Sequence, residues 1–311
     1  MGRRAGIPRD AVIAAVVVTY HPGDLSALLA ELAGQCDSVI AVDNGSDPAE
    51  VEALRKACDQ AGATLLELGE NLGIAAAQNR GIELAQSRAA ESPESNFVLL
   101  SDQDSMPAPD MVARLLEAIE EDPAIAAVGP LPSEEREGAD ELVYVDRGWA
   151  PKRASRSELG LSRLDVAFLI ASGCLIRLSA LASVGKMRED LFIDHVDLEW
   201  GVRARKAGWR LVAVPAAKLT HSLGDDVVRL PGRDQPVHVH SPIRNYYILR
   251  NTIALVRTSL LPGKWRVRYC YWAAKYAAFN AFAAGDGKAR RKMLRKAAAD
   301  GFKGRLGPFE E

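Results

Sequence analysis

The stretch Phe97-Val98-Leu99-Leu100-Ser101-Asp102-Gln103-Asp104-Ser105 decides the fold. Its apolar half is the length of a strand buried on both faces, and the chain passes from it directly into two carboxylates one residue apart. Toward the N-terminus the same alternation repeats three times. Strands are predicted over 11–19, 38–42 and 64–68, separated by helices over 24–35, 50–62 and about 74–87. Each strand breaks into a polar or glycine-rich loop: Thr19-Tyr20-His21-Pro22-Gly23, Asp43-Asn44-Gly45-Ser46-Asp47, and Gly69-Glu70-Asn71-Leu72-Gly73. Such β-α-β alternation implies an α/β doubly wound, mostly parallel Rossmann-like sheet with helices on both faces. Ligands of such sheets bind outside the carboxyl ends of the strands, where these four loops gather.

Further along, a helix is expected over 111–120, a loop or excursion over 133–157, and a strand or strand pair over 166–177. Another helix is expected over 199–207, stopped by Gly208, and a strand over 210–214, stopped by Pro215. From about residue 243 the pattern turns helical and basic. The chain therefore divides into a catalytic domain over 1–240 and a basic, aromatic-rich helical C-terminal segment over 241–311.

The 311 residues carry a formal charge of −2 that hides an asymmetry. Residues 241–311 hold 15 Lys/Arg against 4 Asp/Glu, which suits an anionic partner surface. The four cysteines are scattered without metal-ligand spacing and read as reduced thiols of a cytoplasmic protein. The N-terminus lacks a signal-peptide pattern, and no run is long and apolar enough to span a membrane.

Two carboxylates at a strand's carboxyl end can face one hard divalent cation such as Mg²⁺ or Mn²⁺, which keeps waters and bridges substrate phosphates. Alone, Asp102 and Asp104 would read as a solvated Asx turn; their place after a buried strand favours the metal. Asp194-His195-Val196-Asp197-Leu198-Glu199-Trp200 crowds three carboxylates before a helix. The helix dipole accounts for Glu199. Asp194 and Asp197 are candidates for a general base. His221 is either a structural imidazole or a third metal ligand. The 69–81 segment places glycines and asparagines at a helix N-terminus able to receive phosphate or sugar hydroxyls. No dinucleotide G-x-G-x-x-G, P-loop or G-x-S-x-G hydrolase pattern occurs.

These motifs, in this order, resemble family 2 inverting glycosyltransferases of the GT-A fold, and among them bacterial L-rhamnosyltransferases of polysaccharide and O-antigen assembly. The resemblance runs over about residues 12 to 270. It is carried by Val18-Thr19-Tyr20, Val42-Asp43-Asn44-Gly45-Ser46, Gly69 to Asn79, Asp102-Gln103-Asp104-Ser105, Ser172-Gly173, Phe192-Ile193-Asp194, Asp197-Leu198-Glu199-Trp200 and His221. It continues through Arg244-Asn245-Tyr246-Tyr247 and Arg250-Asn251. The resemblance implies that Thr19, Tyr20, Asp43, Asn44, Asn71, Gly73, Asn79, Asp102 and Gln103 bind the nucleotide sugar, with Asp43 on the base. It implies Asp102, Asp104 and His221 as metal ligands, and Ser172, Gly173, Trp200 and Arg244 on the acceptor or sugar side. Family members usually show Glu-Asp-x-Asp with an Arg four residues on. Aligning on Arg203 makes Asp197 the base and Glu199 the motif's last acid, a second catalytic residue; aligning on Phe192-Ile193 would make the base Asp194. The Arg alignment also keeps the spacing to His221 and is preferred.

The implied donor is dTDP-L-rhamnose and the implied acceptor a lipid-linked glycan, transferred with inversion at the inner face of the cell membrane. Trp265, Tyr269, Tyr271, Trp272, Tyr276 and Phe279 among basic residues then suit either an anionic membrane or packing on the catalytic body or a second subunit. A sugar nucleotidyltransferase would carry a basic glycine-rich loop after the first strand, and Thr19-Tyr20-His21-Pro22 is not one. A non-catalytic glycan-binding protein would not need the carboxylates. A nucleic-acid partner would rest on the basic tail alone.

Overall fold

The computed structural model describes residues 11–88, 96–133, 143–221, 226–228 and 237–310, with the backbone alone at 133, 221, 226–228, 237 and 238. The first half follows the predicted alternation. It runs β1 (Val12–Thr19), α1 (Ser26–Gln35), β2 (Ser38–Asp43), α2 (Pro48–Ala61), β3 (Thr64–Glu67), α3 (Ile74–Ser87) and β4 (Asn96–Asp102). Local signals set the boundaries. Helix α2 begins with Pro48 at its first position and a reciprocal capping box between Asp47 and Glu50, and ends on Gly62 in the left-handed conformation.

After β4 come β5 (Ser105–Pro107), α4 (Met111–Glu120), β6 (Ile125–Ser133), and the hairpin of β7 (Tyr144–Asp146) and β8 (Pro151–Arg153). Then follow α5 (Arg156–Leu159), β9 (Leu164–Asp165), β10 (Cys174–Arg177), α6 (Leu178–Val184), a 3-10 turn Glu189–Leu191, α7 (Val196–Lys206) and β11 (Arg210–His221). A small pair, β12 (Asp226–Val228) and β13 (Val237–Val239), precedes α8 (Pro242–Arg257), α9 (Gly263–Phe282) and α10 (Gly287–Lys303).

The main sheet has the order β3-β2-β1-β4-β10-β6-β11-β5, with β9 on β11. β1, β2, β3 and β4 pair in parallel, as do β6 and β11; β10 and β5 run antiparallel to their neighbours. The chain is thus an α/β protein with a mostly parallel sheet. Alternate residues of β1 show the double winding. Ile13, Ala15 and Val17 pack with α1, α2 and α4 on one face. Ala14, Val16 and Val18 pack with α3, α6 and α7 on the other. Fully burying one Val, Leu or Ile contributes roughly 1.5–3 kcal/mol, so these two apolar layers hold the strand ends in place.

Four expectations change. Pro215 does not end the strand: β11 runs on to His221, because the register with β6 shifts between Val214 and Lys218 and leaves Pro215 outside the regular ladder. β6 was not foreseen. Its Pro130 and Pro132 lie past Ala127 and Val128, where β10 stops pairing, so their missing N–H groups cost no ladder bond on that side. The 133–157 excursion contains the β7–β8 hairpin and α5 among its described residues. Helix α7 begins at Val196, which puts Asp197 and Glu199 inside its first turn.

Candidate active site

Thr19, Asp43 and Asp102 end three adjacent strands, with Thr19 in register with Asp43 and Val18 with Asp102. Thr19 is buried, and its hydroxyl donates to the Val42 carbonyl, tying β1 to β2. Asp43 is also buried. Its Oδ2 accepts from the Gly45 and Ser46 amides at 3.1 and 3.2 Å, whereas Oδ1 has no hydrogen-bond partner among the described residues. A buried carboxylate oxygen without a donor is costly, so this atom is a candidate acceptor for a ligand N–H.

The neighbouring loops are bound to one another. Asn44 donates from Nδ2 to Asn71 Oδ1 and accepts at Oδ1 from the Leu72 amide; Asn71 Oδ1 also accepts from the Gly73 amide. Gly73 has φ +87°, and a Cβ there would lie 2.6 Å from the Phe192 carbonyl. The loop over 69–73 therefore rests on the segment that precedes α7. Gly73→Ala is expected to cost about 2–3 kcal/mol from the left-handed backbone and the clash together. A lower urea midpoint with unchanged m would show it.

At the end of β4, Gln103 clamps the β1 loop: its Oε1 accepts from the Tyr20 amide at 2.8 Å and its Nε2 donates to the Tyr20 carbonyl. The Tyr20 side chain remains exposed. Ser172 is buried behind the turn, 2.5 Å from Ser105 Oγ and accepting from the Asp102 amide. Gly173 follows at φ +76° against Pro130. Strand β11 pairs antiparallel with β5, which sets His221 opposite Ser105, one residue beyond Asp104. Strand register thus brings the backbone at His221 beside the turn that carries Asp102 and Asp104, and two carboxylates at a strand end are an oxygen donor set that suits Mg²⁺ or Mn²⁺.

The loop before α7 is strained. Phe192, Asp194 and His195 all have φ near +65°. Helix α8 holds it there. Asn251 Nδ2 donates to the carbonyls of Leu191, Ile193 and Asp194. Arg250 is fully buried and donates to the carbonyls of Leu191 and Gly307, with its guanidinium over the rings of Tyr246 and Tyr247. Arg244 pairs with Asp194 at 2.6 Å, and His195 Nε2 lies 2.7 Å from Thr252 Oγ1.

Asp197 is the carboxylate this loop delivers. It accepts from the Leu198 amide at 2.7 Å and lines a cleft of about 290 Å³. Burial raises its pKa to about 6, and the charges of Asp102 and Asp194 add to the rise against the Leu198 hydrogen bond. The helix N-terminus acts the other way, and burial wins. Asp194, by contrast, is occupied by Arg244. Glu199 is buried and bidentate on Arg203, whose guanidinium also reaches the carbonyls of Val184 and Lys186.

The family model described as glycosyl transferase family 2 matches residues 15–185. A dTDP-rhamnosyl transferase, RfbF, of Shigella flexneri is 32% identical over 263 residues, which cover 80% of this chain and 81% of that protein. The chain belongs to glycosyl transferase family 2.

An N-acetylglucosaminyl-diphospho-decaprenol L-rhamnosyltransferase of Mycobacterium tuberculosis is 30% identical, covering 76% of this chain and 83% of that one. Among solved structures, S. aureus TarS 1-349 superposes with a TM-score of 0.53 at 16% identity over 94% of this chain and 81% of its own. GalNAc-T7, crystallised with UDP, GalNAc and Mn²⁺, gives 0.60 at 16% identity over 96% of this chain, which spans 58% of its length. These likenesses establish the GT-A fold. The family-2 chain is a glycosyltransferase, and its motif loops occupy the strand ends that such a sheet uses.

Several residues expected to touch ligands are engaged within this family-2 enzyme. Asn79 is buried with its amide bound to the Met187 backbone and Glu189. Trp200 is buried and donates to the Gly185 carbonyl. Arg250 and Asn251 belong to a motif whose residues had no role assigned, and Thr252 lies outside it; nothing local in the sequence signals that the three grip the loop before α7. A further group, exposed His21 with Asp47 and Glu50, comes within mutual metal-ligating reach. The α2 capping box accounts for Asp47 and Glu50, and Glu50 raises the His21 pKa.

Proposed function

We propose that this family-2 glycosyltransferase transfers L-rhamnose from dTDP-L-rhamnose, with inversion, to a hydroxyl of a lipid-linked glycan. The observation that carries this reading is Asp197, held by a strained loop beside a cleft and close enough to Asp102 to feel its charge. Asp197 accepts the proton of the acceptor hydroxyl. The hydroxyl oxygen bonds to the anomeric carbon on the face opposite the departing diphosphate, and the bond to the diphosphate oxygen breaks. Asp102, Asp104 and His221 would hold Mg²⁺ or Mn²⁺, which supplies positive charge to the leaving diphosphate. Asp43 Oδ1 suits the imide N–H shared by thymine and uracil. The choice of rhamnose and of a thymidine nucleotide rests on the names of the two rhamnosyltransferase relatives.

A donor panel of dTDP-L-rhamnose, UDP-galactose, UDP-galactofuranose and GDP-mannose tests the donor. Nucleoside diphosphate release at least about tenfold faster from dTDP-L-rhamnose is expected, a ratio of about 1.4 kcal/mol in transition-state binding. Faster turnover of another donor would replace rhamnose in this reading. Chelation should abolish turnover, and added Mg²⁺ or Mn²⁺ should restore it. The base works ionised, so kcat should rise with pH through the Asp197 pKa and level off above it. A cation beside Asp102 offsets part of the repulsion, which places the rise at or below about pH 6. A pH–rate profile with no acidic limb down to about pH 4.5 would contradict a raised base pKa.

No helix among the described residues is long and apolar enough to cross a membrane. Val267, Tyr271 and Phe282 are exposed on basic α9, and contact of this helix with an anionic membrane surface belongs to the same proposal.

A further inference from the structure

The cleft beside Asp197 is walled by elements far apart in sequence. The β7–β8 hairpin gives Tyr144, Ala150 and Pro151; Phe168 and His195 also line it; α9 gives Arg268, Tyr269 and Trp272. None of its lining residues comes from the ends of β1, β2 or β4. It therefore reaches Asp197 from a side separate from the loops that follow β1, β2 and β4. At about 290 Å³ it lies at the small end of ligand pockets, a size for one sugar ring rather than a chain.

Its walls are aromatic in pairs. Tyr144 stacks on Phe168 at 4.9 Å, and Trp272 stacks on Tyr276 at 4.9 Å with the edge of His195 toward it. Stacked rings present flat, stiff apolar faces at low entropic cost, which suit the C–H face of a pyranose. The Tyr269 hydroxyl is held far above its usual pKa, chiefly by burial and also by Tyr144 and Asp197. It stays protonated and can donate to an acceptor oxygen next to the base.

One cation, Arg268, lines the cleft, on a basic helix. Helix α9 has Lys264, Arg266, Arg268 and Lys275 and no acidic residue. Arg268 is exposed, lines the cleft, and has a ring contact with Tyr271 but no carboxylate partner among the described residues. A guanidinium in that position is a fork for phosphate oxygens.

We propose that this cleft is the acceptor site and that it takes a pyranose bearing a phosphate-class anion, the ring on Trp272 and Tyr144 and the anion on Arg268. The inference rests on the transferase reading above, and it moves acceptor recognition to α9 from Trp200, which is buried on the Gly185 carbonyl, and from Arg244, which pairs with Asp194. A sugar linked to a membrane lipid through diphosphate and a soluble sugar diphosphate share this chemistry.

The test compares three acceptors with the full chain, Mg²⁺ and the preferred donor. They are an N-acetylglucosamine diphosphate on a long alkyl chain, the same diphosphate on a methyl group, and methyl N-acetylglucosaminide. Arg268→Ala should lower kcat/KM for the diphosphate acceptors at least about tenfold more than for the neutral glycoside. Trp272→Ala should raise the acceptor KM for all three. Arg266→Ala removes the same charge from the same helix outside the cleft and should leave the ratio between acceptors unchanged. An alkyl acceptor much better than the methyl one identifies the lipid form as the source; equal values identify the soluble form. Equal losses on charged and neutral acceptors in Arg268→Ala, or no wild-type transfer to either diphosphate, would overturn the proposal. Absence of donor turnover by the wild-type enzyme under any acceptor condition would instead overturn the transferase reading beneath it.

Discussion

Asp197→Asn should lower kcat by about 10²–10⁴-fold while donor affinity changes little, because the amide keeps the shape of the carboxylate and cannot accept the proton. The carboxylate has one backbone donor, from Leu198, and lines the acceptor cleft, so the substitution disturbs few other contacts. Asp194→Asn serves as the comparison. Asp194 is spent on Arg244, so its loss should loosen the loop and reduce kcat by roughly tenfold, well short of the loss at 197. Donor binding by calorimetry and single-turnover transfer separate the two effects. Near-normal transfer by Asp197→Asn would remove it from the base role.

The second large effect is expected at Arg250, a residue remote from the proton transfer. Its guanidinium is completely buried, donates to the carbonyls of Leu191 and Gly307 and to Asn251 Oδ1, and lies over two tyrosine rings. Arg250→Met keeps much of the volume but leaves those acceptors without a donor. A loss of about 3–5 kcal/mol is expected, since breaking a buried charged network costs that much. Asn251→Ala tests the activity side. It frees three carbonyls of the positive-φ loop, and kcat should fall because Asp197 is no longer held in place. Urea denaturation of Arg250→Met and kcat of Asn251→Ala check the two halves. A wild-type midpoint in the first would contradict a structural role for the guanidinium.

The parts of the fold legible in the sequence are those where periodicity and burial agree. β1, β2 and β4 are continuous apolar runs, and each ends in a polar loop that marks a strand's carboxyl end. β6 escaped notice because Gly129, Pro130 and Pro132 look like loop residues, and only the layout of neighbouring strands shows why the prolines are tolerated there. The continuation of β11 past Pro215 was hidden for a similar reason: a register shift has no local signature. At the site, the carboxylates were legible because they cluster in sequence. What each one contacts was not. Asp194 and Asp197 differ by an arginine fifty residues away, and Glu199 by its pairing with Arg203. Asp194 and His195 are of types that tolerate positive φ but adopt it only in a minority of cases, and Phe192 is not of such a type; the loop is held in that conformation by α8, which the sequence placed in a separate C-terminal segment. The aromatic and basic residues of α9 were visible as a composition, and only the fold shows that three of them line the cleft that holds Asp197.

The stereochemistry of the product tests the proposed mechanism most directly. Purified enzyme, Mg²⁺, dTDP-L-rhamnose and a diphosphate-linked acceptor would be allowed to react, and the anomeric configuration of the new linkage read by NMR. One displacement with Asp197 as base requires the configuration opposite to that of the donor. Retention of the donor's configuration would demand a second displacement or a front-face mechanism, and would contradict the role assigned to Asp197.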